Sequence, residues 1–233
     1  MNELTETISV IVIIVARMAR FVKTVKGRGT VARPCTTLLN REIIGRAAVE
    51  FVDSGNELQL VPLATKLGVS VSSLYHHVQG REGVIRAMRH VLVTEYFEQG
   101  PTEGTWEERI RGEVHRSWRM YAEHPGVLQL MLTVVIDEPD LMHYYGALAQ
   151  TLEEAGLAQS EILTTIEVID AFSFGAALDA LSPARIFDAE RASAHLVTLM
   201  NDHPSGDERS SLVFERGLDF IIAGIRARVD AIS

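Results

Sequence analysis

Leu63-Ala64-Thr65-Lys66-Leu67-Gly68-Val69-Ser70-Val71-Ser72-Ser73-Leu74-Tyr75-His76-His77-Val78 is the stretch that decides the fold. Leu63, Ala64 and Leu67 recur at helical spacing, and Gly68 follows where a helix must stop and positive φ is needed. Ala64 is small, so a second helix can cross it closely. Ser70 offers an N-cap for a helix starting at Val71, with Leu74 and Val78 on its buried side. This is the spacing of a helix-turn-helix, which lays one short helix into the major groove of DNA. An ordinary helical hairpin also needs a glycine turn and apolar stripes.

Working outward, a first folded helix is expected from the N-cap Asn40, with Leu39 and Ile44 as a hydrophobic staple and Ser54-Gly55 as its end. The helix of the decisive stretch runs from about Leu60, with Pro62 tolerated in its first turn. Gln79-Gly80-Arg81-Glu82-Gly83 turns the chain into a longer helix through about Phe97. Gln99-Gly100-Pro101-Thr102-Glu103-Gly104 is a break. Helices are then expected near residues 105–123, 126–134, 138–155, 159–181 and 209–230, with an irregular or partly helical excursion over 182–208. Strand signals are scarce, so the fold class is all-α.

Charge divides along the chain. The 233 residues carry a net charge of −9, which averages a net +4 over residues 1–96 and −13 over the remainder. A basic front end and an acidic body suit a protein that meets DNA through one face, because phosphate neutralisation is local. Residues 17–33 hold Arg17, Arg20, Lys23, Lys26, Arg28 and Arg33 with no acid, and Lys26-Gly27-Arg28-Gly29 gives them the look of a flexible arm for phosphates or a minor groove. A solvated tail has the same composition. The single Cys35 excludes an internal disulfide and a cysteine-based zinc cluster, in keeping with a reducing cytoplasm. The apolar run from Ile8 to Ala16 is too short to cross a bilayer and has no basic segment before it, so neither export nor a membrane span is expected. It reads as an extra helix, a partner-binding arm, or an extension upstream of a start at Met18.

With these residues in view, residues 39–92 resemble the DNA-binding domain of the tetracycline-repressor (TetR) family of bacterial transcription regulators. The resemblance rests on Arg41-Glu42-Ile43-Ile44-Gly45-Arg46-Ala47-Ala48, on Leu63-Ala64 through Leu67-Gly68-Val69-Ser70, and on Leu74-Tyr75-His76-His77-Val78. Further on, Phe214 through Ile225 resembles the last helix of the branch nearest the tetracycline repressor itself. The resemblance implies an N-terminal extension (1–38), a helix-turn-helix domain (39–98) and a helical effector-binding and dimerisation domain (99–233). It implies that Val71, Ser72 and Ser73 read base edges, that Tyr75 and His77 hold the DNA backbone, and that Arg81 grips phosphate. Short hydroxyls and a methyl face suit base edges, and a phenol, an imidazole and a guanidinium reach phosphate oxygens. Where many relatives place Ser or Thr and then Arg at the second helix, this chain has Gln59 and Val61. Gln59 can still donate a hydrogen bond.

The body supplies two further expectations. Residues Ile166, Ile169, Phe174 and Ala177 in 162–181, with Phe214, Leu218, Ile221 and Ile225 in 212–229, form stripes that would pair with their symmetry mates in a four-helix dimer bundle. An intramolecular core explains the same stripes. Aromatic and polar side chains concentrate between the head and this bundle, including Trp106 and Tyr145. Of these, Trp118, Tyr121, His124, Met131, His143, Tyr144 and Phe172 are the expected lining of a small-molecule pocket. The implied mechanism is ligand binding that shifts the fourth helix, so that two recognition helices no longer match successive grooves.

Asp137, Glu138, Asp140 and His143 cluster, and Asp140 and His143 share a helix face that could hold a divalent metal. Acids at a helix start are also ordinary dipole partners, and no metal or other cofactor is expected. No nucleophile elbow, phosphate-cradling glycine loop or two-histidine zinc helix is present, so an enzyme is not expected. The expected function is a cytoplasmic repressor that binds a palindromic double-stranded operator as a homodimer and is released by a small-molecule effector. A helical enzyme and an architectural DNA binder without an effector are the alternatives.

Overall fold

A computed structural model describes residues 39–97 and 103–231. The basic arm, the apolar run of residues 8–16 and Cys35 lie outside the described residues. The elements described are all helices: α1 (Arg41–Asp53), α2 (Leu60–Leu67), α3 (Val71–Val78), α4 (Arg81–Phe97), α5 (Trp106–Glu123), α6 (Pro125–Met131), α7 (Pro139–Glu154), α8 (Gln159–Asp179), α9 (Ala194–Asn201) and α10 (Gly206–Asp230).

Local chemistry sets the boundaries of the head. Asn40 Oδ1 accepts from the Ile43 amide at 2.8 Å, and Ser70 Oγ accepts from the Ser73 amide at 3.1 Å, so α1 and α3 each begin with one orphan donor satisfied. Gly68 closes α2 in the left-handed region at φ 68°, which lets α3 turn back across Ala64. The body uses the same device: Thr105 and Glu108 form a reciprocal capping box at the start of α5. The segment 182–205 is irregular apart from α9, and α10 begins at Gly206, three residues earlier than the sequence pattern suggests.

Packing joins head to body. Ile44, Leu63, Leu74, Val78, Ile85 and Met88 from α1–α4 share one core with Met120, Val127 and Met131 from α5 and α6. Residues 39–233 accordingly form one compact unit, although a linker-like sequence separates α4 from α5. A second core joins α5, α7, α8 and α10 through Ile110, Val114, Leu152, Ile166, Phe214 and Leu218. Each such side chain contributes about 1.5–3 kcal/mol by leaving water. Close approach sets the position of α4: a Cβ on Gly83 would lie 1.3 Å from the Val78 carbonyl oxygen, and one on Gly45 would lie 2.4 Å from that of Ala87.

Most residues of the stripes expected to form a dimer interface are buried within the single chain, chiefly in this second core. Ile166, Ile169, Ala177, Phe214, Leu218 and Ile225 are all at most 5% exposed within the single chain. Ile221 is half-buried at the edge of the same core. Both helices also carry apolar residues on their opposite faces, and those remain uncovered: Leu163 and Val168 on α8, Val213 and Phe220 on α10.

Arg89 fastens α4 to the body. It is 3% exposed, and its guanidinium donates to the carbonyls of Met131 (3.0 Å), Val134 (2.7 Å) and Val135 (3.4 Å) and pairs with Glu138 at 2.8 Å. Arg86 and His90 flank it on α4 and meet Asp137 (2.7 Å) and Asp140 (2.5 Å). The acids considered as metal ligands are therefore a strap that closes on α4, and among the described residues no group of three His, Cys, Asp or Glu is placed to hold a metal ion. Replacing Arg89 by Met strands the Glu138 carboxylate and three carbonyls, so Arg89→Met is expected to lower unfolding free energy by about 3–5 kcal/mol in urea titrations.

Candidate nucleic-acid interface and ligand cavity

Helix α3 presents one open face. Val71, Ser72, Tyr75 and His76 line a shallow hollow on it, with Val71 37% and Tyr75 55% exposed. Leu74 and Val78 anchor the opposite face in the core. The Tyr75 ring lies over Gly80, whose added Cβ would come within 3.3 Å of the phenol oxygen, and φ of 102° fits glycine there. Ser73 is half-buried and turned partly from the open face, whereas His76 stands on it. The sequence pattern did not single out His76, although its spacing of four from Ser72 puts both on one helix face.

Around α3 the expected contacts are spread over neighbouring elements. His77 is exposed and its carbonyl accepts from Arg41 Nε at 3.2 Å. Gln59 is exposed just before α2 and donates to Glu57 at 3.3 Å. Arg81 is exposed at the first position of α4. Arg46, Lys66 and Arg86 all have carboxylate partners, so among the described head residues Arg81 is the cation without an ion pair or hydrogen bond. Residues 39–96 hold six Lys or Arg and six Asp or Glu, so the positive excess of the first 96 residues belongs to residues 1–38.

In the body, α4, α5, α7 and α8 and the segment 131–136 enclose a cavity of about 350 Å³. Tyr121, Met131 and Tyr144, expected from the sequence, line it together with Tyr145, Phe174 and Asp170. His143 lies on an adjoining hollow of about 820 Å³ that shares Val93, Phe97 and Tyr144 as a wall. Three expected lining residues are elsewhere. Trp118 and Phe172 stack on the two sides of the buried Phe214 ring, with centroids 4.4 and 5.7 Å away. His124 bridges Asp53 of α1 at 2.7 Å and Tyr96 of α4 at 3.2 Å. Phe174, expected at a dimer interface, meets Tyr121 edge-on at 4.8 Å inside the cavity wall.

Asp170 is a cavity-lining acid that the sequence pattern concealed. Burial pushes its carboxyl up to about 6, and Glu167 adds to this, although the hydrogen bond from Tyr145 at 2.8 Å acts the other way. Burial likewise raises the Tyr121, Tyr144 and Tyr145 phenols, so all three remain neutral donors at physiological pH. The nearby groups that bear on Asp170 are Tyr145 from α7 and Glu167 from α8 itself. A raised carboxyl pKa means the folded chain holds a proton that the unfolded chain releases, so stability falls as pH rises through about 6. Asp170→Asn is expected to raise unfolding free energy by roughly 1–2 kcal/mol at pH 8, with the gain shrinking towards pH 4 in denaturant titrations.

Comparison with known proteins places this arrangement. Residues 100–229 match the family model described as the tetracyclin repressor-like C-terminal domain. HTH-type transcriptional repressor DrrR1 of Streptomyces coeruleorubidus is 27% identical over 160 residues, which span 65% of this chain and 57% of that protein. An HTH-type transcriptional regulator of Saccharopolyspora erythraea is 26% identical over 208 residues, or 82% of this chain and 86% of its own length. Among solved structures, apo ActR from Streptomyces coelicolor superposes with a TM-score of 0.67 at 25% identity, covering 82% of this chain and 98% of ActR. ActR in complex with actinorhodin has the same fold (TM-score 0.68, 23% identity, 82% of this chain and 97% of that one). With a helix-turn-helix head on a helical body that matches the family model over more than half its length, this chain belongs to the TetR family of transcriptional regulators, which are not enzymes.

Proposed function

We propose that this chain is a cytoplasmic repressor that binds an inverted-repeat operator as a homodimer and lets go when a small molecule enters the cavity. The observation that carries this reading is the placement of α4. Its first residue, Arg81, stands beside the exposed face of α3, and its later residues Arg89, Val93 and Phe97 form part of the cavity wall. One helix of 17 residues, about 25 Å long, thus touches both places. The segment 131–136 lines the cavity, and three of its carbonyls are held by Arg89. A ligand that displaces this segment changes the seat of α4 and so the attitude of α3. By linkage, DNA must weaken the ligand as much as the ligand weakens DNA. That ActR is known with a bound small molecule, and that DrrR1 carries the name repressor, supports the same reading.

In this reading Val71, Ser72 and His76 face base edges, Ser73 sits at the margin of that face, and Tyr75, His77, Gln59 and Arg81 hold phosphates or sugars. The folded head is electrically balanced, so the arm of residues 17–33 supplies much of the phosphate neutralisation. The partner copy docks on the uncovered faces of α8 and α10. Gly175 and Gly224 have open space where a Cβ would be, which suits close helix approach, and Val168 and Phe220 beside them are 50% and 74% exposed. Two heads held in this way would meet half-sites about 34 Å apart on duplex DNA.

Experiments on DNA binding and on assembly test these assignments. Selection from random-sequence duplexes is expected to return an inverted repeat. Against that duplex, Tyr75→Ala is expected to weaken binding about tenfold or more in anisotropy titrations, and removal of residues 1–33 is expected to flatten the salt dependence, by about 0.9 in log–log slope for each lost phosphate contact. An asymmetric consensus or an unchanged slope contradicts the dimer or the arm, respectively. For the interface, Phe220→Asp combined with Val168→Asp is expected to give a folded monomer by light scattering, because neither side chain contributes to the buried core.

A further inference from the structure

We propose that the effector of this cavity is a cationic amine carried on an apolar, ring-sized body, with its ammonium against the Asp170 carboxylate inside a cage of tyrosines. This rests on the reading of the cavity as the effector site and goes beyond it in naming the ligand's charge.

The argument begins with an unbalanced charge. Asp170 Oδ2 accepts the Tyr145 hydroxyl at 2.8 Å, and Oδ1 has no hydrogen-bond partner among the described residues. No ion pair to Asp170 is formed there either. The cation that shares the cavity wall, Arg89, is committed to Glu138 and three carbonyls, so it is not available to Asp170 or to an anionic ligand. The cavity therefore contains one carboxylate whose charge the described protein leaves uncompensated, and a desolvated carboxylate gains most from a cation brought to it.

The walls favour the same partner. Tyr144 and Tyr145 meet edge to face with centroids 5.2 Å apart, Tyr121 meets Phe174 at 4.8 Å, and all four rings line the cavity with the acid. Ring faces attract an ammonium and are indifferent or repulsive to an anion. The Tyr121 hydroxyl has no hydrogen-bond partner among the described residues, which leaves it for a ligand's polar substituent. The rest of the lining is Val93, Met120, Leu141 and similar side chains, and about 350 Å³ accommodates a body of one or two fused rings.

The test uses three probes of one shape: 2-(1-naphthyl)ethylamine, its neutral N-acetyl derivative, and 3-(1-naphthyl)propanoate. Each is titrated by calorimetry against the full chain and the Asp170→Asn variant at pH 7.5. The amine is expected to bind at least about tenfold more tightly than either analogue, and Asp170→Asn is expected to remove that advantage while leaving the N-acetyl probe within about twofold. The unchanged neutral probe, or a thermal melt no lower than that of the unsubstituted chain where that probe is weak, shows that the variant's cavity is intact. No binding of the amine, equal or better binding of the propanoate, or an advantage that survives Asp170→Asn overturns the proposal. Release of the selected operator duplex is read in parallel. Release by the propanoate keeps the effector reading and sinks the cationic one, whereas amine binding through Asp170 with no loss of DNA does the reverse.

Discussion

The buried guanidinium of Arg89 holds two parts of the molecule in register that the chain separates by more than forty residues. Its hydrogen bonds reach Met131, Val134, Val135 and Glu138, and these four close the end of α6 and the start of α7 around α4. Without that clamp the segment 131–136 would expose carbonyls inside an apolar wall, which a protein interior does not tolerate. Met131 and Val134 pack into the head's core, while the bonds from Arg89 fix the segment's backbone along the cavity floor. The seat of α4 and the floor of the cavity thus share the same set of bonds.

A second joint works beside it. Asp53 at the end of α1, His124 at the start of α6, Tyr96 of α4 and Glu123 of α5 form one hydrogen-bonded chain. It ties the head's first helix to the same region of the body. Together with the core shared by Ile85, Met88, Met120 and Met131, these bonds make α1–α6 a single packed object. In the proposed mechanism such stiffness carries a change from the cavity to α3, because a floppy connection would absorb the displacement.

How much of this was legible follows the range of the interactions concerned. Asn40, Gly68 and Ser70 act within four residues of themselves, and the helix boundaries they set were readable directly. The exposed face of α3 was legible for the same reason: Leu74 and Val78 fix the buried side, so Val71, Ser72, Tyr75 and His76 fall on the open one. The facing of α8 was not. Ile162, Ile166 and Ile169 turn inward while Leu163 and Val168 turn out, and a helix apolar on both sides carries no sign of which side its own chain will cover. Trp118 and Phe172 read as pocket lining because aromatic density marks cores and cavities alike; only the position of Phe214, about a hundred residues from Trp118, shows that they stack. The acids at 137–140 looked like ligands because their arginine and histidine partners lie some fifty residues upstream.

Asp170 is the case where local consistency fails, and the failure is informative. A carboxylate turned into an aromatic cavity destabilises the empty protein, and a neutral side chain would serve packing better. Charged groups elsewhere in this body are handled differently: Arg209 meets Asp179 at 2.9 Å, and Arg111 meets Asp219 at 2.6 Å. The chain therefore builds ion pairs between its helices where it needs them, and at Asp170 the described residues supply a tyrosine hydroxyl alone. A phenol stabilises a carboxylate without neutralising it. The net charge stays in the cavity, and whatever cation arrives recovers the desolvation that folding left unbalanced. Ligand affinity and the instability of the empty site then have the same origin, since a cavity that neutralised itself would have less to gain from being filled.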